Sequence, residues 1–479
     1  MIKENKKDLL LFKSGYPIHN EYETVPEDME LVFMNGIFRH GSRFWSSYRD
    51  LKFYDLLKKD ILKTRDDRKN AKLLNKYRKL IKNNGEDQIE NICNKGNYEI
   101  KEIGKSLYNA HPNYFKKIKK INYETTSKIR TIQTKKQLVK SLSNVTRRKI
   151  PTIKISTKNN NYKIDGILNY RSLLHSNSSK EYNIFKKNNF LFLKKCDKFI
   201  NIQMIEDVRN KFGIREDIGN KIVRDMLEGL FDSLNLTGTF KYTINNDTIN
   251  LSCFPSKYNN LQESIYLIFL QTGLSYSYNI IELCKLILVK SIINKILVKL
   301  SNIILHQIGE DLDKAMLNHN KNINSKTLVD PIFYFGHAGV LMPVITHLIF
   351  MGKDIDKESK IISKKFKTYV SKMEDVSVLE PGLARLKLMK MYFKLLNYSN
   401  NLVTKGYNFD WITPMSGNIL FRLMKSKIDK EYYVQILLNG RTFSPPSFKQ
   451  QKMIKLREFR DLLLKNYLTS KEFKKLSGE

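Results

Sequence analysis

A chain of 479 residues that is 41% hydrophobic, with 26 Phe and 25 Tyr, can bury a large core, which excludes a disordered chain despite its many Lys and Asn residues. Length allows two to four average domains, or one large α/β domain with an insertion. The net charge of +36 rests on lysine, since only 18 of the 84 basic residues are arginine; the field draws in polyanions, and an arginine inside a motif stands out.

In chain order, Leu9-Leu10-Leu11-Phe12 is the one continuous apolar stretch of residues 1–15, short for the core of a secretory signal. Residues 28–48 read as a strand and a turn, in which the apolar run 31–38 ends at Arg39-His40-Gly41-Ser42-Arg43. A strand stopping at a Gly-containing turn presents its last side chains at the carboxyl edge of a sheet, where open α/β sheets bind ligands. Two guanidinium forks around an imidazole suit a phosphate. The forks hold its oxygens and offset charge in the transition state, while the imidazole can attack phosphorus in line.

Residues 54–84 and 103–120 are Lys-rich helical stretches, and 123–142 is a loop leading into a helix with Arg130 near its start, where unpaired N–H groups favour anions. From about 150 to 325 come helical segments at 189–200, 214–234 and 265–305, with low-complexity loops at 158–161 and 242–250. Residues 280–305 are the most apolar stretch, interrupted by Lys285, Lys290, Lys295 and Lys299. That spacing reads as an amphipathic helix with a basic face, which is more often simply solvated and less often makes weak contact with an acidic membrane surface; a transmembrane segment is not expected. A second aromatic strand at 332–335 leads into Gly336-His337-Ala338-Gly339, followed by a helix at 340–351, a strand at 434–438 and a closing amphipathic helix at 453–468. Four scattered cysteines, Cys93, Cys196, Cys253 and Cys284, exclude a C-x-x-C site and permit disulfides without requiring them. No nucleic-acid motif is recognisable, so no specific nucleic-acid partner is expected.

The two histidine blocks together resemble the histidine acid phosphatases, in the multiple inositol polyphosphate phosphatase branch. Thr126-Ser127-Lys128-Ile129-Arg130-Thr131-Ile132-Gln133-Thr134 is similar to the family's Ser-x-Lys-x-Arg segment. Leu341-Met342-Pro343, Met351-Gly352-Lys353-Asp354, and the stretches 414–421 and 434–439 extend the likeness over roughly residues 25–470. The resemblance implies an α/β fold: a histidine-phosphatase-type sandwich core of residues 25–150 and 325–450, a mostly helical cap at 151–324 and a C-terminal helix at 451–479.

It also implies a phosphomonoesterase acting on phytate-like inositol polyphosphates or bisphosphoglycerate through a phosphohistidine. In that reading His40 is the nucleophile, Arg39, Arg43 and Arg130 hold the phosphate, and His337 donates to the same group. The partner is a phosphorylated small molecule, and neither a metal nor another cofactor is needed. Family members are commonly secretory, so the expectation is a cytoplasmic protein or a secretory-pathway chain whose leader is missing. The sequence departs from the family twice. Trp45 replaces the usual Pro, and Gly339 stands where the family has the Glu that protonates the departing alcohol. The alternative is therefore a catalytically impaired protein that binds inositol polyphosphate. His347 is expected in the core, and His19, His111, His175, His306 and His319 have no partner pattern.

Overall fold

The computed structural model describes residues 21–44, 69–84, 88–155, 158–159, 164–165, 180–237, 240–244, 247–251, 253–254, 258–290, 295–321, 328–403, 405 and 414–465. The strands in it are β1 (Met29–Arg39), β2 (Ile121–Thr125), β3 (Thr152–Lys154), β4 (Lys158–Asn159), β5 (Ile164–Asp165), β6 (Phe240–Ile244), β7 (Asp247–Leu251), β8 (Ile332–Gly336), β9 (Asn418–Ser426), β10 (Tyr432–Leu438), β11 (Arg441–Thr442) and β12 (Ile454–Lys455). The helices are α1 (Lys69–Asn84), α2 (Asn94–Ala110), α3 (Pro112–Lys117), α4 (Ile129–Thr146), α5 (Lys180–Leu193), α6 (Ile202–Phe212), α7 (Asn220–Thr237), α8 (Asn259–Thr272), α9 (Leu274–Lys285), α10 (Lys295–Leu300), α11 (Asn302–Lys321), α12 (Ala338–Phe350), α13 (Ile355–Ser371), α14 (Pro381–Leu402) and α15 (Leu456–Lys465).

Eight strands form the main sheet in the order β11-β10-β9-β1-β8-β2-β3, with β12 beside β10. β1, β8, β2 and β3 run parallel, and β9 and β10 continue antiparallel from the other side of β1. β1 is buried from Leu31 to Arg39, as an unbroken apolar run in a central strand must be. A register shift between Leu31 and Phe33 marks a bulge near its start. On one face Met34, Phe38, Phe333 and Phe335 pack with Ile103 of α2 and Leu138 of α4. On the other, Ile37, Tyr334 and Phe421 pack with Leu312 of α11, Val344 of α12 and Phe459 of α15. Each such fully buried side chain contributes about 1.5–3 kcal/mol, so the result is an α/β sandwich with helices on both faces.

The helical region draws in segments from both ends of the chain. α1 packs on α8, and α14 lies along α9 with Tyr276 and Tyr392 in ring contact at 6.2 Å. A disulfide joins Cys93, at the start of α2, to Cys253 beyond β7, while Cys196 and Cys284 are buried free thiols.

Local details differ from the pattern-based reading. Residues 242–244 and 247–250 belong to the paired strands β6 and β7, because Tyr242, Thr243, Ile244, Thr248 and Ile249 outweigh the surrounding Asn. Lys158 and Asn159 likewise pair with Asp165 and Ile164. Tyr123 lies within β2, and the helix expected over 103–120 breaks at His111, where Pro112 opens α3. Residues 280–305 are not one amphipathic helix. α9 gives way to a π-helical turn, Leu286–Lys290, and then to α10 and α11. Lys285 is paired with Glu228 (2.7 Å) and Lys299 with Asp356 (2.6 Å), so at these two lysines the basic face is engaged within the protein. Among the described residues no single helix is long and apolar enough to cross a membrane. Trp45, His19, His175 and residues 54–68 and 466–468 of two expected helices lie outside the described residues.

Candidate active site

β1 and β8 lie side by side and parallel, with Arg39 opposite Gly336. The next residues are His40 and His337, so register alone brings both rings to one carboxyl edge. Their centroids are 5.3 Å apart, edge to face. His40 N donates to Gly336 O (3.0 Å), Arg39 N to Gly417 O (2.7 Å) and Ser416 N to His40 O (3.1 Å), which stitches the turn between β8 and the approach to β9. On the far side of β8, Thr125 is opposite Phe335. Strand β2 thus delivers Thr126 beside His337, with 3.1 Å between Thr126 Oγ1 and His337 Nε2. The chain then turns into α4, whose first turn carries Arg130.

His40 is 4% exposed, and its Nδ1 lies 2.9 Å from Gly41 O. A carbonyl only accepts, so Nδ1 carries the proton and Nε2 keeps its lone pair. Burial, and then the charges of Arg43, His337, Arg39 and Arg130, hold the His40 pKa well below the ordinary histidine value. The ring is neutral. Arg39 is pushed down to about 9 by burial and by Arg43 and Arg130, with Glu99 opposing the shift. Arg43 is half-buried and donates from Nη1 to Phe44 O (2.5 Å). All five residues anticipated for the site therefore come together at one sheet edge.

The turn around His40 is held by groups that the motifs did not single out. Gly41 N donates to Thr134 Oγ1 (3.1 Å), whose own proton goes to Arg130 O (2.7 Å). Ser42 donates from N (3.2 Å) and Oγ (2.9 Å) to the buried carboxylate of Glu99, which also accepts Ser416 Oγ (2.8 Å). Cys93 N donates to Ser42 O (2.9 Å), and a Cβ on Gly96 would run into that same carbonyl, so only glycine lets α2 approach so closely. Thr131 and Thr134 sit three apart on one face of the helix that carries Arg130, a signal legible in the sequence. Glu99 offered none, being 57 residues from Ser42 in sequence.

Glu90, in the left-handed region at φ 68°, places its carboxylate 3.2 Å from Arg130 Nη1 and 3.1 Å from Lys128 Nζ. Burial acts to raise its pKa, but Lys128 and Arg130 overcome this and hold it below the usual range. Gly339 is buried as the second residue of α12. The remaining described histidines lie elsewhere. His347 is buried with Nδ1 donating to Val298 O (2.8 Å), His111 accepts at Nε2 from Arg422 (2.7 Å), His306 faces Glu310 and His319 meets Tyr432. Three guanidinium groups around a neutral ring nitrogen can hold a tetrahedral oxyanion in line with a nucleophile.

The family model of the histidine phosphatase superfamily (branch 2) matches residues 30–439. The chain belongs to that superfamily. Solved structures of the same fold include the phytase from D. castellii, at TM-score 0.57 and 13% identity over 97% of this chain and 86% of that one. Another is the multiple inositol polyphosphate phosphatase of Bifidobacterium longum in complex with inositol hexasulfate, at TM-score 0.53 and 13% identity over 95% and 97%. No curated protein matches the sequence.

Proposed function

We propose that this superfamily member is a phosphomonoesterase that removes phosphate from inositol polyphosphates of the phytate type, with bisphosphoglycerate as a further crowded ester in range. The observation that carries the proposal is the pairing of His40 and His337 across adjacent parallel strands, with Arg39, Arg43 and Arg130 around them. His40 Nε2 attacks phosphorus in line as the P–O bond breaks, the leaving oxygen takes a proton from water or a neighbouring acid and departs as the alcohol, and water then hydrolyses the phosphohistidine to phosphate and the neutral ring, so one difficult displacement becomes two easier ones. The arginines neutralise the phosphoryl oxygens throughout, and His337 binds the same group. Because His40 stays neutral below the ordinary histidine range, the nucleophile remains available in mild acid. The polyphosphate class is supported by the fold shared with a phytase and an inositol polyphosphate phosphatase, and by the +36 charge, which concentrates polyanions.

The helical region is proposed as a cap. It reaches the catalytic turn at Phe254, whose ring meets Phe44 at 5.6 Å, and at the adjacent Cys93–Cys253 disulfide. That disulfide favours an oxidising compartment over the cytoplasm. Gly339 supports a second reading, a protein that binds inositol polyphosphate and turns it over poorly, since loss of a general acid costs about 10² to 10⁴ in rate. Phosphate release from phytate and from nitrophenyl phosphate, whose leaving group scarcely needs a proton, decides between them. Release from both supports the enzyme; release from the nitrophenyl ester alone supports the impaired form. If neither ester is hydrolysed, or His40→Ala releases phosphate at the wild-type rate, the phosphohistidine mechanism is excluded.

A further inference from the structure

Thr126, at the exit of β2 beside β8, and Thr131, near the start of α4, are both buried, and neither has a role in the mechanism above. Their protons can be counted, since each hydroxyl has one donor and two acceptor sites. Thr131 Oγ1 has three oxygen neighbours: Lys128 O at 2.7 Å, Thr126 Oγ1 at 2.9 Å and Thr126 O at 3.1 Å. The carbonyls have no proton to give, and the shortest contact takes the Thr131 proton to Lys128 O. Thr126 is then the donor in the Thr126–Thr131 contact. Its hydroxyl proton is used there, so what it offers His337 is a lone pair, and the proton between them belongs to His337 Nε2.

We infer that Thr126, backed by Thr131, is the positioning residue for His337: it holds the ring as the Nε2–H form, oriented beside His40. The two histidines are thereby fixed in opposite tautomers, since His40 carries its proton on Nδ1. Held in this way, a neutral His337 can donate to a phosphoryl oxygen only after taking up a second proton at Nδ1. The consequence for turnover rests on the phosphatase reading. The tautomer does not.

The test uses the full chain labelled with 15N-histidine. Two-bond 15N–1H correlations report which ring nitrogen is protonated, and the His337 signals are those missing from His337→Asn. The expected result is a protonated Nε2 and an unprotonated Nδ1 in phosphate-free buffer at neutral pH. Thr131→Val removes the acceptor of the Thr126 proton, so that hydroxyl turns onto Nε2 and His337 changes to the Nδ1–H form. Thr126→Val should lower kcat on nitrophenyl phosphate by about 10-fold or more with KM changed by less than about 3-fold, the signature of lost orientation. Thr126→Ser keeps the hydroxyl and should restore kcat. A wild-type His337 in the Nδ1–H form, or a tautomer unmoved by Thr131→Val, overturns the inference, as does a Thr126→Val variant with wild-type kcat. If the spectra behave as expected while the wild-type protein hydrolyses no ester, the tautomer assignment stands and the phosphatase reading falls.

Discussion

The Glu99 carboxylate accepts both the backbone N–H and the hydroxyl of Ser42, two residues beyond His40, at 3.2 and 2.9 Å. With Ser416 Oγ on the same group, one fully buried anion joins α2, the exit of β1 and the approach to β9. Its charge also counters the depression of Arg39. Glu99→Ala takes the acceptor from three buried donors and should cost roughly 2–4 kcal/mol of stability. Urea midpoints at unchanged m-value measure it, and kcat on nitrophenyl phosphate should fall in the same variant. A variant as stable and as active as wild type would mean that the turn holds itself.

Glu90 occupies the guanidinium of Arg130, which the proposed mechanism gives to phosphate. A phosphate entering the site has to displace that carboxylate or bind beside it. Glu90→Gln removes the competing charge, and because the pair is partly exposed the gain is modest, about 1 kcal/mol or roughly 5-fold in inorganic phosphate affinity. Competitive inhibition by phosphate measures it. An unchanged or weaker inhibition constant would place Glu90 as support for Arg130 instead of as its competitor.

Three buried histidines make stability fall in acid. Burial first, with Arg422 for His111 and Arg43 for His40, lowers their folded pKa values: His111 to about 3, His347 to about 4, and His40 well below the ordinary 6.5. As pH drops through 6.5 the unfolded chain takes up protons that the folded chain refuses, so stability is present above 6.5 and is lost below it. The slope is about 1.4 kcal/mol per pH unit for each such group. His347→Asn, away from the site, should flatten the dependence of the urea midpoint between pH 6.5 and 4 by about a third of the histidine slope. Identical pH dependence in that variant would show that the buried ring is not responsible.

The strand-turn blocks at 31–43 and 332–339 were legible because an apolar run, a Gly-containing turn and a His are all local features. Their meeting was legible only through family likeness, since the parallel pairing of Arg39 with Gly336 spans almost 300 residues. The same distance problem hid Glu99 and Ser416, whose side chains acquire a role only when α2 and β9 reach the turn. The β6–β7 hairpin was hidden for another reason, an Asn-rich composition that imitates a loop over a period-two pattern. The break of 280–305 is not legible because the regular Lys spacing imitates one continuous solvent face, whereas Lys285 and Lys299 find carboxylates on α7 and α13.

Gly339 leaves the first turn of α12 without an acid at the position where the superfamily's late motif is expected to carry one, next to the turn that presents His337. Gly339→Glu would put a carboxyl group there, at a helix N-terminus that tolerates its charge. If proton donation to the departing alkoxide limits turnover, the gain belongs to alkyl esters such as phytate, whose leaving oxygen is strongly basic. Nitrophenyl phosphate should gain little, because its leaving group departs as a stable anion. A selective rise in kcat of roughly 10-fold or more on phytate is the expected outcome. Equal changes for both esters, or none in a variant that melts like wild type, would show that another group in the pocket already supplies the proton.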